Sequence, residues 1–136
     1  MNEHVHATGD LTKNQSLVMG ALNKARGPLS AYTILDQLRD HGFRAPLQVY
    51  RALDKLIEYG LVHRLESLNA FVACSHAECE SHGQTAFTIC QSCGDVTELA
   101  DDDLAGQLKS LAARSGFTVH RSTVELRGLC RDCTSN

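Results

Sequence analysis

Two Cys-x-x-Cys pairs constrain this chain more than any other feature: Cys90-Gln91-Ser92-Cys93 and, near the far end, Cys130-Arg131-Asp132-Cys133. Each pair can present two thiolates to one tetrahedral ion, with zinc–sulfur bonds of about 2.3 Å. Gly94 follows the first pair, as the tight turn of a metal-binding knuckle requires. The gap between the pairs exceeds the roughly 15–20 residues of a zinc ribbon. A β-α-β pattern fills it, so an ion held by all four sulfurs ties the end of a domain to its middle. A redox pair is the rival reading, but a thioredoxin-like site uses one Cys-x-x-Cys beside a βαβ unit. A closed four-thiolate site leaves no open position for substrate, which points to structure rather than catalysis.

The cysteines also divide the chain. All six lie after residue 73. Residues 1–73 carry eight basic and seven acidic side chains, residues 74–136 five and nine. A mildly basic, cysteine-free part thus precedes an acidic, cysteine-bearing one. No run is long and apolar enough for a membrane helix, and MNEHVHATGD lacks the features of a secretory signal. The expected compartment is the cytoplasm, where cysteines serve metals or redox chemistry more than disulfides.

After a tail at 1–10, helical spacing predicts a helix from Leu11 to about Ala25, with Val18, Ala21, Leu22 and Ala25 inward. Gly27-Pro28 stops it. Ser30 caps a second helix bearing Ala31, Ile34, Leu35 and Leu38, ended by Gly42. Pro46 opens a third, with Val49, Leu53, Leu56 and Ile57 inward and Gly60 at its end. Two short strands follow, Leu61–Glu66 and Ala70–Cys74, turning at Ser67-Leu68-Asn69. Three helices and a hairpin make a winged helix-turn-helix. Beyond a polar stretch, strands are expected at Ala86–Cys90, Val96–Leu99 and Phe117–Leu126. A helix over Asp102–Ala113 should turn Leu104, Leu108, Leu111 and Ala112 inward. Asp101, Asp102 and Asp103 suit its positive N-terminal end. The fold class is therefore α+β. The expected segments are a tail at 1–10, a winged-helix domain at 11–73, a hinge at 74–84 and a second domain at 85–136.

The outward face of the third helix carries Gln48, Arg51 and Lys55, with Tyr50 beside them. Arginine pairs with guanine and glutamine with adenine in the major groove, while lysine and tyrosine hold phosphates. The same residues also describe an ordinary solvated face. Four further metal-ligand types remain: His63 in the wing, Cys74 at the boundary, His82 in the following loop and Glu98 in the second domain. Each has a plain reading as a wing histidine, small core residue, loop residue or strand carboxylate. One ion bound by all four would bridge the two domains.

The chain resembles the ferric uptake regulator family, and within it the zinc uptake regulators, over about residues 11–133. The resemblance rests on Gln48-Val49-Tyr50-Arg51-Ala52-Leu53, Gly60-Leu61-Val62-His63-Arg64-Leu65-Glu66-Ser67, and the two cysteine motifs with Gly94 and Gly128-Leu129 beside them. It implies a homodimer with an N-terminal winged helix and a small C-terminal α/β dimerisation domain, binding double-stranded operator DNA. It implies two zinc ions per subunit. One is structural, on Cys90, Cys93, Cys130 and Cys133; the other is regulatory, on His63, Cys74, His82 and Glu98. Tyr50 and Arg51 match the tyrosine and arginine of the family's recognition helix. Iron-sensing relatives carry a histidine-rich run after the hinge, where this chain reads Cys74-Ser75-His76-Ala77-Glu78-Cys79-Glu80-Ser81-His82. Sulfur in that place favours zinc over ferrous or manganous ions; His76 and Cys79 are additional ligand types. The expected function is a zinc-responsive repressor of zinc uptake genes, with no membrane partner and no small-molecule substrate. An iron-, manganese- or peroxide-responsive regulator, a zinc-ribbon interaction module and, last, a thiol oxidoreductase are the alternatives. No paired-carboxylate, phosphate-cradling or Ser-His-Asp pattern speaks for an enzyme.

Overall fold

The computed structural model describes residues 11–74 and 84–134, in two compact units, Met1–Glu80 and Ser81–Asn136. The division falls within the expected hinge, most of which lies outside the described residues. Among the described residues no helix is long and apolar enough to cross a membrane.

The first unit holds α1 (Lys13–Lys24), α2 (Ala31–Leu38), a short 3-10 turn (Arg39–His41), α3 (Pro46–Glu58), β1 (Val62–Leu65) and β2 (Ala70–Ala73). Helix α1 starts two residues later than expected because Thr12 and Gln15 form a reciprocal capping box. Ser30 caps α2 through the Thr33 N–H. Gly42, at φ 100°, takes the left-handed turn that sends the chain towards α3. The inward faces of the three helices supply Val18, Leu22, Ile34, Leu35, Leu38, Val49, Leu53 and Leu56, closed below by Phe43 and by Val62 and Phe71 of the wing. Strands β1 and β2 pair antiparallel, Val62 opposite Ala73 and His63 opposite Val72. Leu29 bonds to Phe71 in both directions (2.8 and 3.0 Å), which fastens the wing to the helices. Three helices and a pinned hairpin are a winged helix-turn-helix, as the sequence pattern requires.

The second unit runs β3 (Gln84–Cys90), β4 (Val96–Leu99), α4 (Asp102–Ala113), β5 (Ser122–Gly128) and α5 (Arg131–Thr134). Its sheet has the order β4-β3-β5, with β3 antiparallel to β4 and parallel to β5. Helix α4 is the crossover that a parallel pair needs. The Asp101 carboxylate caps α4 by accepting from the Asp103 and Leu104 N–H groups, so the acidic run is a helix start.

Two expectations fail here. Strand β5 begins at Ser122 rather than Phe117. Gly116, at φ 73°, is left-handed, and the Phe117 N–H bonds back to the Ala112 carbonyl, so these residues close α4 instead of extending a strand. Nor does α4 bury the apolar face assigned to it: none of its residues is buried, and Leu111 is 57% exposed. Among the described residues of this unit, the buried side chains are Ala86, Phe87, Ile89 and Cys90, all on β3.

Candidate metal centre and nucleic-acid interface

The parallel register of β3 and β5 sets Cys90 opposite Gly128, and the Gln91 N–H donates to the Gly128 carbonyl at 2.8 Å. Cys130 therefore arrives beside the end of β3, and α5 turns Cys133 back towards it. On the other side, the Gly94 N–H donates to the Cys90 carbonyl at 3.0 Å, with Gly94 at φ 81°. That tight turn returns Cys93 to Cys90. All four sulfurs lie within 4.8 Å of one another, and those of Cys93 and Cys130 are 3.8 Å apart. Four sulfurs at bond lengths of about 2.3 Å around a tetrahedral zinc stand about 3.8 Å apart. The residues present thus fit zinc.

The local electrostatics favour a cation. The Cys93 and Cys130 backbone N–H groups both point at the Cys90 sulfur, each at 3.4 Å, and pull its pKa from 9.0 to about 6. Cys93 is stabilised as thiolate by the Asp95 N–H, yet Cys90 and Cys130 outweigh this and push it up to about 12. Cys133 has help from Ser92 but is raised by Cys130 and Cys90. Cys90 ionises readily while Cys93 and Cys133 resist following, which is the response of clustered like charges lacking a counter-charge. A divalent ion removes that resistance and displaces the remaining protons.

The first unit brings together a second pair. His63, on β1, and Cys74, just past β2, present a ring nitrogen and a sulfur within 4.8 Å of each other. Hairpin register does this: Val62 faces Ala73, and the Cys74 N–H continues the ladder to the Leu61 carbonyl at 2.9 Å. Both side chains are half-buried. Cys74 is disulfide-bonded in this structure, so ligation there takes its reduced form. Glu98 lies on β4 of the second unit, opposite Phe87 and half-buried. His82, His76 and Cys79 lie outside the described residues.

Helix α3 presents Leu47, Arg51, Asp54, Lys55 and Glu58 to solvent. Arg51 stands clear of the core. Lys55 pairs with Glu58 at 3.4 Å, an exposed contact worth roughly 0–1 kcal/mol that a phosphate can displace. Tyr50 is half-buried, its ring edge-on to Phe71 at 6.4 Å. Gln48 is engaged elsewhere: its Oε1 accepts from the Arg44 and Ala45 N–H groups at 2.6 and 3.0 Å, capping the start of α3. A bidentate adenine pair needs that oxygen. Two cations were not singled out from the sequence. Arg44 is exposed just before α3, and Arg64 on the wing bonds Asn69 at 3.2 Å above the Phe71 ring. Their signal was positional: basic residues at the entry to α3 and on the wing strand.

The family model described as ferric uptake regulator matches residues 10–127. The zinc uptake regulation protein of Escherichia coli (strain K12) is 38% identical over 124 residues, covering 90% of this chain and 72% of that protein. A solved structure of holo XcZur matches with a TM-score of 0.82 at 41% identity, over 93% of this chain and 87% of that one. A zinc uptake regulator complexed with zinc and DNA matches at 0.86 and 34%, over 96% and 87%. The ferric uptake regulator of Francisella tularensis with iron shares only the fold, at 0.59 and 16%, over 98% of each chain.

Proposed function

Because the chain belongs to the ferric uptake regulator family, and within it to the zinc uptake regulators, we propose that it binds palindromic operator DNA as a zinc-loaded homodimer and represses zinc uptake genes. It is a transcription factor and not an enzyme. The relative solved with both zinc and DNA supports the pairing of metal and operator.

Two zinc ions per subunit have distinct tasks. At Cys90, Cys93, Cys130 and Cys133 zinc supplies a structural cross-link between the end of β3 and the C-terminal turn. The regulatory ion is assigned to His63, Cys74, His82 and Glu98. The observation that carries this assignment is the adjacency of the His63 nitrogen and the Cys74 sulfur in the wing of the DNA-binding unit. A soft thiolate beside imidazole suits zinc better than ferrous or manganous ions. The wing is fastened through Phe71 to the body that carries α3, so what holds His63 and Cys74 also positions Arg51. Tyr50, Arg51 and Lys55 face the operator, with Gln48 holding the start of their helix. A homodimer is supported by the second unit's uncovered apolar side chains: Leu99, Leu111, Phe117, Leu126 and Leu129 are each 39–65% exposed.

Zinc and operator favour the same conformation in this scheme. Each therefore tightens the other by the same factor. The test is an operator-binding titration at buffered free zinc with Cys74→Ser. That variant should remain a folded dimer and lose zinc-dependent operator binding. A normal zinc response would place the regulatory site elsewhere.

A further inference from the structure

Leu47 stands on the outward stripe of α3, one turn before Arg51, and is 57% exposed. Its neighbours along that stripe are charged: Arg44 just outside the helix, then Arg51, Asp54 and Lys55. It contributes nothing to the core, whose α3 members are Val49, Ala52, Leu53 and Leu56. Every other exposed position on α3 is charged. The residue beside it, Gln48, has its carbonyl oxygen tied to two backbone N–H groups at the helix start. Freeing that oxygen to read adenine leaves both N–H groups without their partner. The base-facing work of the first turn therefore falls to an apolar side chain.

We propose that Leu47 is a specificity-determining residue that reads the C5-methyl group of a thymine in the major groove, close to the base contacted by Arg51. This rests on the reading of α3 as the recognition helix. A methyl group is the one apolar feature of the major-groove edge, and it belongs to thymine alone among the unmodified bases. Residues four apart on a helix lie about 6 Å apart along its axis, so Leu47 and Arg51 address neighbouring base steps. Pro46 at the first helical position fixes the turn from which Leu47 projects.

The experiment is selection of duplex DNA by the zinc-loaded full-length protein, followed by replacement of each selected thymine with deoxyuridine, which removes only the methyl. At one thymine per half-site the wild-type protein should lose about fourfold in affinity for each methyl removed, as burial of one methyl implies. Leu47→Ala should be insensitive to that replacement, while Leu47→Met keeps it and both retain the Arg51-dependent base preference. Equal binding to thymine and deoxyuridine sites throughout, or undiminished sensitivity in Leu47→Ala, overturns the assignment while leaving the repressor reading intact. Failure of the wild-type protein to enrich any DNA overturns both.

Discussion

Replacing Cys130 with serine should unfold the second unit and leave the first standing. The two units differ sharply in what holds them. The winged helix buries Phe43, Phe71, Ile34, Leu53, Leu56, Leu65, Val18, Val49 and Val62 almost completely. Among its described residues the second unit buries two large side chains, Phe87 and Ile89, along with Ala86 and Cys90. At roughly 1.5–3 kcal/mol each, the two large ones contribute about 3–6 kcal/mol. A structural zinc contributes on the order of 10–16 kcal/mol. Metal ligation is therefore the larger support, and it acts where it matters: Cys90 terminates the central strand, and Cys130 lies two residues beyond its parallel partner. Cys130→Ser removes one of the four ligands and leaves the backbone N–H that donates to the Cys90 sulfur in place. Amide hydrogen exchange followed by mass spectrometry reports the units separately, and atomic absorption reports the metal. The expected result is loss of protection across β3, β4 and β5, with α1–α3 protected as in the parent and at least one zinc per chain lost. A zinc-depleted variant whose β3 and β5 amides stay fully protected would refute the reasoning.

Arg51→Ala should weaken operator binding by about 1–3 kcal/mol, or roughly 5- to 150-fold, with metal content unchanged, as measured by fluorescence anisotropy. Acid should destabilise the cysteine centre. The Cys90 thiol ionises at 9.0 in the unfolded chain and about 6 in the fold, so its contribution is complete above 9 and lost as pH falls through 6. Cys93 and Cys133 are raised and protonated near neutrality, so loading the metal-free centre should release more than one proton. Titration calorimetry in two buffers of different ionisation enthalpy counts these protons, and a count of zero would contradict the geometry. On the proposed assignment Cys74 holds metal only as a reduced thiolate, so thiol-oxidising treatment should abolish the zinc response of DNA binding, and a reductant should restore it.

Much of this was legible in the sequence, for reasons that differ by element. Helix α4 spans Asp102–Ala113 as expected because its start is set by a local chemical signal, the Asp101 cap. The four-cysteine centre was legible because a tetrahedral ion demands paired short spacings. Strand β5 was placed too early because Phe117 and Val119 look like strand residues, whereas Gly116 draws Phe117 into the helix end. Leu111 illustrates another limit. Helical periodicity tells which residues share a face, but not whether anything within the same chain covers it. The role of Gln48 is a third case. Glutamine at the third helical position is a helix-start signal as well as a base reader, and only the hydrogen bonds to Arg44 and Ala45 separate the two. His63 and Cys74 sit too far apart to form a motif; hairpin register joins them.

The central claim is that the protein senses zinc, with Cys74 as the ligand that selects it. The most direct measurement is competitive: operator affinity of the reduced protein at buffered free zinc, ferrous and manganous ion, each spanning several decades. Zinc should activate binding at a free concentration orders of magnitude below the other two, and Cys74→Ser should erase that preference. Activation by ferrous or manganous ion at equal or lower free concentration would contradict the account.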